Sequence, residues 1–80
     1  MKIRVEVADS LTQFTDGVEA VSVDLDAGAT PHAALDALGV PKDAGYLLIV
    51  NEAIVPKAAR DSHELADGDT LEILPPLKGG

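Results

Sequence analysis

One short stretch, TPHAALDALG from Thr30 to Gly39, has the spacing of a helix, and almost all other apolar sequence reads as strand. In KIRVEVA, Ile3, Val5 and Val7 fall on one face and Lys2, Arg4 and Glu6 on the other, the period of a half-buried strand. VEAVSVDLD repeats the pattern with Val21, Val23 and Leu25. Between them DSLTQFTDG breaks the alternation and ends on the turn pair Asp16-Gly17. The helix has its own punctuation: Thr30 as N-cap, Pro31 at the first helical position, Gly39 as stop, and Ala34, Leu35 and Leu38 as the apolar stripe. YLLIVNEAIVP then reads as a central strand covered on both sides, a turn at Asn51-Glu52 and a short strand. Asn51 tolerates the left-handed conformation of such a turn, whereas Glu52 stands where glycine is easier. Residues 56–65 are irregular, and ADGDTLEIL closes with an Asp-Gly turn and a last strand carrying Leu71 and Ile73 on one face.

Eighty residues make one domain, whose small core buries about 60–65% of the unfolded surface. One helix must therefore serve the whole sheet. The first two strands pair, the helix crosses one face, and the last strand adds beside the first. This is an α+β arrangement, a β-grasp: a mixed sheet of four to five strands with one main helix across one face. Residues 1–74 form the domain and residues 75–80 an extended tail.

Composition removes several functions. The chain has no cysteine, which excludes disulfides, thiolate catalysis, Cys-ligated zinc and a side-chain persulfide. Its formal net charge of −8 disfavours nucleic acid and attracts basic protein surfaces, although a salt-rich intracellular medium also accounts for it. No apolar run approaches the ~18 residues of a membrane span, and MKIRVEVADS is not a signal peptide, so the expected location is cytoplasmic. No catalytic constellation stands out. Ser62, His63 and Glu64 are consecutive and so do not aim at one another as a triad. Asp67-Gly68-Asp69 reads as a turn rather than a metal site. Asp9-Ser10-Leu11 matches the attachment motif of acyl carrier proteins, but follows a strand in a chain that is mostly strand.

What remains is the end, PPLKGG. Pro75 and Pro76 stop the strand, having no N–H to donate, and hold the exit extended. Leu77, Lys78, Gly79 and Gly80 follow, and the two glycines remove every side chain that would obstruct a narrow site. A terminal carboxylate is ionised at pH 7 and a poor electrophile. Joined to AMP it gains a leaving group, and a sulfur or amine nucleophile can attack it. With Leu71 and Ile73 turned toward the helix, Glu72 and Leu74 face outward, Leu48 and Val50 share that outer face, and Leu48, Leu74 and Leu77 are the docking residues. The unbroken YLLIV run equally reads Leu48 as core.

DGDTLEILPPLKGG, with VNEAIVP before it, resembles the small sulfur carriers of the ThiS/MoaD type, which are ubiquitin-like β-grasp proteins. The end of the chain is most similar to the small subunit of molybdopterin synthase, where Pro-Pro precedes Gly-Gly. Leu74 departs from that pattern, since an aromatic residue commonly stands there. The resemblance implies a non-enzymatic carrier with no bound cofactor. An E1-like activating enzyme would use ATP to adenylate Gly80, which then becomes a thiocarboxylate. The tail, Pro75 to Gly79, would thread into the partner. The sulfur acceptor implied is the large subunit of molybdopterin synthase. The alternatives are the thiazole of the thiamine pathway, or isopeptide bonds to protein lysines as in ubiquitin-like modifiers.

Overall fold

The computed structural model describes residues 1–42 and 44–76. Five strands form one mixed sheet: β1 (Lys2–Val7), β2 (Ala20–Asp24), β3 (Leu47–Val50), β4 (Ala53–Ile54) and β5 (Thr70–Leu74). The single α-helix among the described residues is α1 (Pro31–Leu38), and 3-10 turns occupy Asp9–Phe14 and Lys57–Ala59. The sheet order β2-β1-β5-β3-β4 places the last strand at the centre. It runs parallel to β1, with Val5 beside Leu71 and Val7 beside Ile73, and antiparallel to β3.

The alternation in the sequence becomes one buried face. Ile3, Val5, Leu48, Leu71 and Ile73 are fully buried and pack with Ala34 and Leu35 of α1. Leu11, from the 3-10 turn after β1, and Val55 and Leu65, from the long crossover before β5, close the rim of this core. β1 and β2 pair antiparallel, as expected, but a 3-10 turn joins them, and Asp16 and Gly17 take positive φ of 55° and 84° where the chain reverses.

The helix ends where its sequence says, for reasons that differ at the two ends. At the C-terminus Gly39 is left-handed, and Val40 donates its N–H to the Leu35 carbonyl at 2.9 Å while its side chain is buried. At the N-terminus Thr30 holds the cap position in extended conformation, yet its hydroxyl makes no capping bond. The Arg60 carbonyl instead accepts the His32 N–H at 3.2 Å, so the irregular segment caps the helix.

β3 departs from expectation. It is covered on one face only, because Leu48 and Val50 are buried while Leu47 and Ile49 are half-buried on the opposite face. The turn after it is a two-residue hairpin with Asn51 and Glu52 both at positive φ, 47° and 72°. Such a turn matches the right-handed twist of the strands. Asn51 fastens it to the last turn: its side-chain amide donates to Asp69 at 2.8 Å and its side-chain oxygen accepts the Thr70 N–H at 3.0 Å. Asp67 accepts the Lys2 N–H at 2.7 Å and Asp69 accepts the Ala66 N–H at 2.8 Å, so these carboxylates are turn-forming groups.

Glu52 is the strained position, exposed and left-handed without a side-chain bond that compensates. Glu52→Gly should therefore stabilise the domain by about 0.5–1 kcal/mol, the left-handed penalty less the extra entropy of glycine. The check is the midpoint of urea unfolding at unchanged slope, which should rise; a fall would contradict the strain assignment.

Candidate functional site at the exit of the last strand

β5 is held on both sides almost to its end. Leu74 lies opposite Leu47 of β3, and the Ile73 carbonyl accepts the Ala8 N–H at 3.3 Å. Pro75 and Pro76 then stand outside the sheet and exposed. Gly45 lies against the second proline: a methyl group built on its α-carbon would come within 3.9 Å of the Pro76 ring. Leu77, Lys78, Gly79 and Gly80, the threading and activation residues, lie outside the described residues.

Tyr46 precedes β3 and meets Phe14 of the first 3-10 turn edge to face, ring centroids 6.4 Å apart. On the open face of the sheet a cleft of about 280 Å³ is lined by Arg4, Glu6, Glu19, Glu72 and Leu74, among others. It is acidic: three carboxylates face one guanidinium, and Arg4 already pairs with Glu6 at 2.7 Å.

The open face has an apolar half. The register sets Glu6, Glu72, Ile49 and Ile54 in one row across β1, β5, β3 and β4, with Leu74 and Leu47 forming the next pair toward the exit. Leu47, Ile49 and Leu74 are half-buried, and Ile54 is 63% exposed. Leu74 is therefore where the alternation of β5 puts it. Leu48 is not. It is 0% exposed, opposite Ile73 on the helix side, and is a core residue rather than a docking residue; Val50, opposite Leu71, is likewise buried and not on the outer face. A run of five apolar residues has no parity of its own; the register with Leu74 supplies it, and assigns Leu47 and Ile49 to the open face. The Val50–Ala53 closing pair of the two-residue hairpin was the signal that could have placed Ile54 there as well.

The other chemistry-bearing residues are dispersed. Ser62, His63 and Glu64 are exposed on a loop, and the Ser62 hydroxyl reaches the Ala59 carbonyl at 3.5 Å. Ser10 is exposed on the 3-10 turn that follows β1, in a sheet protein unlike a helical acyl carrier. Among the described residues no group of three or more His, Cys, Asp or Glu side chains could hold a metal ion. None of their helices is long and apolar enough to cross a membrane.

The sequence profile of the ThiS family matches residues 5–80. The chain belongs to the ThiS family. That places it among the ubiquitin-like sulfur-carrier proteins, and its solved neighbours share the β-grasp fold. SAMP1 from Haloferax volcanii, the small archaeal modifier protein 1, is 26% identical with a TM-score of 0.76, and the match covers 100% of both chains. In the BexX/CysO complex of Amycolatopsis orientalis, the matching chain is 27% identical, with TM-score 0.71 and coverage of 98% of this chain and 99% of that one. A putative molybdopterin converting factor subunit 1 from Pyrococcus furiosus shares the fold at 22% identity, with TM-score 0.76 and coverage of 96% and 99%. Comparison with curated protein sequences finds no match.

The two faces of β3 make opposite predictions. Leu48→Ala should cost about 2–5 kcal/mol, as for other buried leucines. Ile54→Glu should stay within about 0.5 kcal/mol of the parent. Thermal unfolding of the two variants checks the register; the reverse ranking would overturn it.

Proposed function

We propose that this protein is a sulfur carrier, not itself an enzyme, that works through the carboxylate of Gly80. The observation that carries this reading is the reach of the family match, which continues through the tail to Gly80 itself. The chemistry follows from the carboxylate. An E1-like enzyme transfers AMP from ATP to the Gly80 carboxylate and releases pyrophosphate. Sulfur at the level of hydrosulfide then attacks the acyl carbon and displaces AMP, leaving a thiocarboxylate whose sulfur can be handed to an acceptor. Side chains of the chain take no part in bond making. Pro75 and Pro76 set the direction of the tail, Leu77 and Lys78 enter the partner, and Gly79 and Gly80 pass its narrowest part.

Molybdopterin synthesis is the proposed destination of the sulfur, on the strength of the Pro75-Pro76 pair, with the large synthase subunit as acceptor and the cytoplasm as the place. The thiazole route of thiamine is the alternative within sulfur transfer. A second reading, isopeptide attachment to lysines, is favoured by the end-to-end match at 26% identity to SAMP1, a modifier by name. All three share adenylation and differ afterwards. Leu47, Ile49, Ile54 and Leu74 supply the docking patch, since apolar surface on a small acidic chain suits a partner interface.

Removing Gly79 and Gly80 should abolish adenylation by the cognate enzyme while leaving the melting temperature nearly unchanged. A truncated chain that is still adenylated would end the carrier reading. Intact mass of the chain from native cells separates the destinations: a thiocarboxylate replaces one oxygen by sulfur, whereas conjugation gives a ladder of larger species. For docking, Ile54→Glu and Leu74→Glu should each weaken binding to the adenylating enzyme about ten-fold or more, the scale of a modest interface contact. Calorimetric titration measures it, and unchanged affinity in both variants would exclude this face.

A further inference from the structure

Basic residues are scarce here, six against fourteen acidic ones, yet three of the six gather in one place. Lys42, Lys57 and Arg60 line an open pocket of about 240 Å³ together with His32. It lies between α1 and the 3-10 turn Lys57–Ala59, on the helix side of the sheet, away from the apolar patch. No carboxylate is among the described residues that line it. Lys42 reaches Asp36 at 3.1 Å on the exposed surface.

Arg60 makes this more than a cluster of surface charge. It is only 6% exposed, and its Nη2 donates to the Tyr46 carbonyl at 2.6 Å. Its Nε is buried with no acceptor. A guanidinium is always charged and carries five donors in a rigid fork, so a buried one with an empty donor is short of an acceptor. The helix amides do not serve here. Pro31 has no N–H, His32 donates to the Arg60 carbonyl, and Ala33 and Ala34 donate to the Thr30 carbonyl. The donors available to a ligand are therefore side chains.

We propose that this pocket binds a phosphate-class oxyanion, with Arg60 as the fixed donor and Lys42, Lys57 and His32 closing around it. Size and charge select this class. The volume lies below the ~300 Å³ at which pockets for drug-sized molecules begin, and the lining is cationic rather than apolar. Of three formal positive charges, Asp36 offsets one, and the two that remain match a phosphate dianion better than a single carboxylate. The same guanidinium holds the Tyr46 carbonyl, and the neighbouring Gly45 lies against Pro76.

The test is titration of the full-length, ¹⁵N-labelled chain with sodium phosphate, and in parallel with sodium chloride and sodium acetate at matched ionic strength. Glycerol phosphate added in another arm separates a free ion from the phosphoryl group of a small metabolite, and saturable binding of either supports the site. The expected result is saturable shifts at the amides of His32, Lys57, Arg60 and Tyr46 with phosphate alone. Lys42→Gln and Lys57→Gln, both at exposed positions, should each weaken it about five-fold, as loss of one charged contact does. Arg60→Gln removes a buried residue and can unfold the chain, so the lysine variants carry the decision. Equal responses to chloride or acetate, shifts that fail to saturate, or full affinity in both lysine variants would overturn the proposal.

Discussion

The structure depends on one placement: the strand that runs into Pro75 and Pro76 is the middle strand of the sheet. β5 takes hydrogen bonds from β1 on one side and β3 on the other, and its two inward residues, Leu71 and Ile73, are among the most deeply buried. Its order in the chain makes this demanding, because the last segment must be inserted between strands formed by earlier ones. The parallel pairing with β1 and the long crossover through Val55 and Leu65 accomplish it. A tail that leaves from the centre of a sheet is anchored by the whole core. A partner that draws on Pro75 and beyond therefore pulls against the entire domain rather than peeling an edge.

Much of this was legible in the sequence, and the failures share a cause. Strict alternation fixed the inner faces of β1, β2 and β5, because a period of two has one solution when one face is polar. Thr30, Pro31 and Gly39 located the helix ends because proline and glycine act through their own backbone limits, independent of context. Leu48 was different. In YLLIV both faces are apolar, so parity came only from the pairing with β5 that sets Leu48 opposite Ile73, a contact 25 residues away in sequence. Cap formation at the helix start failed in the same way, since the acceptor for the first amide is the Arg60 carbonyl and not the local Thr30 hydroxyl. The convergence of His32, Lys42, Lys57 and Arg60 had no local signal either.

Charge divides the surface in a way the net value hides. On the open face, Glu6, Glu19 and Glu72 border the exit while Leu47, Ile49, Ile54 and Leu74 form an apolar field beside it. A partner there needs an apolar contact flanked by basic groups, and mutual attraction raises the encounter rate more than the final affinity. On the helix side, basic residues concentrate instead. The same small chain thus offers two surfaces with opposite electrostatic requirements, separated by the thickness of the domain.

The chemistry proposed at Gly80 makes no demand on side chains, and on that reading the rest of the molecule is free to decide the partner. Activation of a carboxylate requires that the end be reachable, the role proposed for Pro75, Pro76 and the two glycines. Folding requires the inner face, where each buried leucine matters. Neither requirement constrains Leu47, Ile49, Ile54, Glu72 or Leu74 strongly, because a half-exposed residue on an uncovered sheet face contributes little to stability. In the proposed role, substitutions there alter which enzyme or acceptor is recognised while the fold is kept. Shared architecture among proteins named for different destinations fits that separation, and the open face of the sheet is the proposed place where the destinations are distinguished.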